Sequence, residues 1–121
     1  MLIQIISGCI GLLAVIPSAY AGGVADQATI INVQPYNAPT SLGTKGAFFV
    51  MLNKNPTNGA SCATYGNVNA RFVTDPNSAV GQAIISTLLS AQATGRWVQI
   101  GGTGACDIWS DTETILYVYT E

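Results

Sequence analysis

The sequence predicts a small, mainly β domain built around one central helix. Three observations lead there. Five stretches are β-branched, aromatic or alternating in the manner of strands, and only one segment beyond the N-terminal leader repeats its apolar residues with helical spacing. That segment falls between the third and fourth strands. Two cysteines, Cys62 and Cys106, lie on either side of it. Strands first, one helix late, and a bridge between the halves suit an OB-like five-stranded β-barrel whose helix plugs one end. A small α+β sheet with the helix on one face is the alternative.

Taken in order, the chain begins with a nearly uncharged apolar run, Ile3 to Ile16, followed by Pro17 and the small-residue pattern Ala19-Tyr20-Ala21. This reads as a secretory signal peptide cut between Ala21 and Gly22. A membrane anchor is the rival reading, but the run is shorter than the roughly 20 apolar residues a span needs. Residues 22–121 then form a single domain. Cys9 leaves with the leader, so the mature chain keeps an even pair, and in an exported chain Cys62 and Cys106 are expected to form a disulfide. Closing a loop of that length stabilises by about 3–4 kcal/mol on the chain-entropy argument.

Gly22 to Gln27 reads as a flexible lead and Ala28 to Gln34 as the first strand. Pro35 to Lys45 has the composition of a loop. Gly46 to Leu52 is a continuous apolar run, expected to be the most buried strand. Asn53 to Gly59 is a polar turn in which Asn58-Gly59 suits positive φ. Asn69 to Thr74 is the third strand. Asp75 is placed to cap the helix with Pro76 in its first position. Val80, Ile84, Leu88 and Ala91 form its stripe, widened by Ala83, Ile85, Thr87 and Leu89. Gly95 is expected to end it in the left-handed conformation. Arg96 to Ile100 is the fourth strand, Gly101-Gly102-Thr103-Gly104 a turn, and Thr112 to Tyr119 the last strand.

Composition narrows the function. Charged residues are 8% of the chain, against roughly 25% in ordinary domains. The four basic residues are scattered, which speaks against a nucleic-acid partner. There is no histidine, so histidine-based triads and histidine metal sites are ruled out. The Gly101–Gly104 loop precedes no helix and is no phosphate cradle. Asp107, Asp111 and Glu113 match no calcium-loop spacing and read as a solvated loop. Neither a catalytic group, a cofactor nor a metal is expected, and the chain reads as a non-enzyme. Tyr36, Tyr65 and Trp109, together with Asn58 in its asparagine-rich loop, have the chemistry that holds neutral polar ligands. Rings pack on C–H faces while amides and hydroxyls bind the polar groups. For any one of these rings, covering the core is the competing role.

The stretch Ser61-Cys62-Ala63, a strand, a helix ending Leu88-Leu89-Ser90-Ala91-Gln92-Ala93-Thr94-Gly95, then Trp97-Val98-Gln99-Ile100, resembles the binding (B) subunits of A–B toxins of the subtilase-cytotoxin type. The resemblance implies a secreted OB-fold chain that assembles into a five-membered ring and binds a cell-surface glycan. It implies no sugar-binding residues here, because the first strands and the C-terminal tail do not match. The resulting expectation is a secreted or periplasmic binding module without stable membrane insertion. It would be homo-oligomeric through Ile85 and Leu89, which lie at the edge of the helical stripe. A monomeric structural or inhibitory domain is the alternative.

Overall fold

The computed structural model describes residues 22–39, 45–65 and 70–121, so the signal-peptide reading lies outside the described residues. The described residues form six strands and one helix: β1 (Val24–Ala28), β2 (Ile30–Pro39), β3 (Lys45–Leu52), β4 (Arg71–Thr74), α1 (Ala79–Thr94), β5 (Val98–Gly102) and β6 (Glu113–Thr120). They make one mixed sheet in the order β1-β5-β6-β4-β3-β2. Only β4 and β6 pair parallel, with Phe72 opposite Glu113; the other pairs are antiparallel.

Six strands stand where five were expected because the N-terminal segment is not a flexible lead. Val24 to Ala28 is an edge strand on β5, and it bulges at Asp26-Gln27, where Gln27 adopts φ 48°. Thr29 alone separates β1 from β2, yet the two lie at opposite edges of the sheet. Asn53 pins this crossing: its Oδ1 accepts from the Thr29 N–H at 3.0 Å, and its own N–H donates to the Thr29 carbonyl at 3.1 Å. Beyond it, β2 runs through Pro35 and Tyr36, where composition suggested a loop. An edge strand tolerates proline because its outward N–H needs no partner.

The apolar run in β3 is continuous because both of its faces are covered. Phe48, Val50 and Leu52 join Phe72, Val98, Ile100 and Ile115 in the main core with Ile84, Leu88 and Ala91 of α1. Ala47 and Phe49 point the other way, into a second cluster with Val73, Ile108 and Trp109. In β6 the expected alternation breaks at Leu116. The register slips between the Gly101–Tyr117 and Gly102–Ile115 pairs, so Ile115 and Val118 both reach the core.

α1 begins three residues later than Asp75 suggests. The Asp75 carboxylate is taken by the Asn77 N–H at 2.8 Å, and Ser78 caps instead, its Oγ accepting from the Gly81 N–H at 2.9 Å. The buried stripe is Gly81, Ile84, Leu88 and Ala91. Val80, expected in the core, is 68% exposed. The other end is as expected: Gly95 takes φ 69°, and the Arg96 N–H returns to the Ala91 carbonyl at 3.0 Å. The Cys62–Cys106 disulfide is formed. It joins the β3–β4 connection to the β5–β6 connection and leaves the core strands unlinked. Among the described residues no helix is long and apolar enough to cross a membrane.

Candidate ligand-binding face

The second cluster is the base of a surface built from five segments: β2, β3, β4 and the β3–β4 and β5–β6 connections. Phe49 on β3 sits at its centre because alternation sends it away from the helix. The Trp109 ring, from the β5–β6 connection, meets Phe49 edge-on with centroids 5.1 Å apart. Tyr36 on β2 closes the triangle, 5.4 Å from Trp109 and 6.3 Å from Phe49. Edge-to-face pairs of this kind contribute about 0.5–1.5 kcal/mol each beyond area burial. Trp109 is positioned by a tight turn in which the Thr112 N–H donates to its carbonyl at 3.1 Å.

Arg71 on β4 extends the row. Its guanidinium lies between the Phe49 and Tyr65 rings, 4.4 Å and 3.4 Å from their centroids. In the plane of the fork, Nε donates to Thr112 Oγ1 at 3.0 Å and one terminal nitrogen to Asp111 Oδ1 at 2.9 Å. The Arg71 side chain is only 9% exposed and Asp111 is 40% exposed. The ion pair alone therefore contributes modestly, and its role is to hold the guanidinium flat between the rings. Asp111 also fixes Tyr65 through the backbone, its carbonyl accepting from Thr64 and Tyr65 at 3.1 and 3.3 Å. Tyr36, Trp109, Phe49, Arg71 and Tyr65 thus form one continuous row.

Behind the Tyr65 end lies Glu113, 1% exposed. It is not part of a solvated acidic loop. Its Oε2 accepts from the Gly23 and Gly104 N–H groups at 3.0 and 2.9 Å, and its Oε1 from Ala60 at 3.0 Å. One carboxylate therefore ties β1, the β3–β4 connection and the β5–β6 connection together. Gly101 and Gly102 belong to β5 and are not a turn. A Cβ on Gly102 would lie 2.0 Å from Glu113 Oε2, and one on Gly101 would lie 2.0 Å from the Tyr117 ring. The glycine pair makes room for side chains from β6. Asp107, the third acid, stays exposed and accepts from the Thr114 hydroxyl. The three acids share no centre, and among the described residues no group of three or more His, Cys, Asp or Glu could hold a metal ion.

Of the residues singled out from sequence, Tyr36 and Trp109 touch, and Tyr65 joins them through Arg71 and Phe49. Asn58 does not join them. It occupies a turn at φ 56°, beside Thr57, which bridges to Val24 of β1. Ile85 packs partly against the main core, whereas Leu89 is 43% exposed. Sequence reasoning missed Phe49, Arg71 and Glu113. A signal existed for Phe49, since a strand apolar at every position has two covered faces. None existed for the other two: Arg71 is held by Asp111 and Thr112, 40 and 41 residues on, and two of the three donors to Glu113, Ala60 and Gly23, lie 53 and 90 residues back. No protein-family model, curated protein or solved structure matches the chain.

Proposed function

We propose that this chain is an exported, self-associating binding module that recognises a neutral glycan on its aromatic row, on an OB-like barrel. The observation that carries the reading is the row itself. Three half-buried or exposed rings, Tyr36, Trp109 and Tyr65, are held in fixed orientation by Phe49 and a nearly buried arginine that the fold does not need for its main core. Rigid rings with an apolar face and a polar edge suit stacking on sugar C–H surfaces. The disulfide supports export.

The barrel reading is supported by the crossing at Thr29. Counting β1 and β2 as two halves of one bent strand leaves five strands, and the two sheet edges become one covalent strand that curls the sheet towards closure. The first strand then pairs with the second and the fourth, the third runs parallel to the fifth, and the helix lies between third and fourth. That order supports the reading of an OB-type barrel, a five-stranded, partly open Greek-key architecture. Association is supported by two different apolar patches on α1. Val80 neighbours Leu116 in a groove on one flank. Leu89 and the edge of Ile85 lie on the other, since Leu89 follows Val80 by nine residues and so by half a turn. One patch meeting the other is a head-to-tail contact, the kind that closes into rings.

A glycan array probed with the mature protein, alongside Trp109→Ala, tests the function. Binding by the first and loss by the second are expected. Absence of any glycan signal from a protein that native mass spectrometry finds monomeric would replace this reading with a monomeric structural or inhibitory domain.

A further inference from the structure

The aromatic row ends at Tyr65, and beside Tyr65 the surface drops into a cavity of about 260 Å³. Ala60, Ala63, Ala70, Tyr65, Arg71 and Glu113 line it. We infer that this cavity is a subsite for one uncharged pyranose ring, the terminal residue of the glycan whose following residues lie along the row. The inference rests on the glycan reading and goes further by naming the subsite and the charge of its sugar.

Size comes first. Pockets for drug-sized ligands span roughly 300–1,000 Å³, so this one takes a single ring. Its space exists because the wall positions Ala60, Ala63 and Ala70 carry only methyl groups, and the loop bearing the first two is clamped by Cys62–Cys106. The lining is preorganised as well. The Tyr65 ring is fixed from behind by Arg71 at 3.4 Å, and the Glu113 carboxylate is fixed by three backbone N–H groups. A ring face for C–H groups and the polar side chains of Tyr65 and Asn55, which also lines the cavity, therefore meet in one cleft.

Charge decides the class. An acidic sugar needs an unoccupied cationic fork to receive its carboxylate. Arg71 is poorly placed to supply one: its side chain is only 9% exposed, its faces are covered by two rings, and its Nε and one terminal nitrogen are held by Thr112 and Asp111. The remaining ionised group of the lining is Glu113, which repels an anion. A cation gains little, because the Glu113 charge is already met by three donors. A neutral ring with several hydroxyls remains.

The test is a titration of the isotope-labelled mature protein with methyl glycosides of neutral hexoses and, separately, of N-acetylneuraminic acid, followed by backbone and indole NMR shifts. The expected result is movement of Ala60, Ala63 and Ala70 amides with a neutral glycoside at about millimolar affinity, and none with the acidic sugar. Ala63→Leu, which fills the cavity, should abolish the shifts. Tyr65→Ala, which leaves the space open, should weaken binding about fivefold and serves if the filled variant does not fold. Shifts confined to the Trp109 indole and Tyr36 would overturn the subsite while leaving the glycan-binding face intact. A stronger response to the acidic sugar would overturn the assigned class. No shift with any sugar would overturn both the subsite and the glycan reading.

Discussion

Glu113→Gln is the most informative single change to the fold, because it alters charge and one donor while keeping shape. In the native protein three N–H groups donate to the carboxylate, two to Oε2 and one to Oε1. A glutamine amide would put its oxygen where two donors converge and its NH₂ against the Ala60 N–H. Hydrogen bonds to a charged group contribute about 1.5–3 kcal/mol and neutral ones about 0.5–1.5 kcal/mol. Two weakened bonds and one buried donor left unpaired therefore sum to a loss of about 3–5 kcal/mol. Urea denaturation with the disulfide intact would measure it, and Asp107→Asn, at an exposed acid, serves as the control. A loss below about 0.5 kcal/mol, typical of surface positions, would refute the claim that this carboxylate joins three segments.

Three further outcomes are expected. Ser78→Ala should cost about 1 kcal/mol in thermal or chemical denaturation, and more than Asp75→Ala, because Ser78 is the cap. Leu88→Ala should cost about 2–5 kcal/mol, whereas Val80→Ala should stay within about 0.5 kcal/mol in the monomer. Cys106→Ser should destabilise by about 2–5 kcal/mol and broaden Tyr65 and Trp109 signals more than those of the β3 core, because the bridge joins the two loops.

Periodicity carried a good deal of this architecture. The β3 run, the helix with its Gly95 stop and the last strand are all local patterns, and each is close to where the residues place it. The failures are contests between local and distant partners. Asp75 and Ser78 can both cap a helix, and only the Asn77 N–H, which occupies the Asp75 carboxylate, decides between them. Gly22–Gln27 looks unstructured because its pairing energy comes from β5, more than 70 residues on. The glycine pair looks like a turn because no sequence pattern reveals that Glu113 and Tyr117 lie across it. The candidate face was half legible for the same reason. Its exposed rings announce themselves by residue type, but Arg71, one of four scattered basic residues, becomes meaningful only when β4 places it between Phe49 and Tyr65.

The central claim is that the aromatic row receives the ligand, and Trp109 is its built-in reporter. The chain has two tryptophans, so Trp97→Phe leaves Trp109 as the only one. Titrating that variant with whichever neutral glycan the array selects should shift or quench Trp109 emission along a saturable curve. The midpoint should match the affinity measured by calorimetry on the unmodified protein. Saturable heat with unchanged Trp109 emission would place the ligand elsewhere and contradict the account.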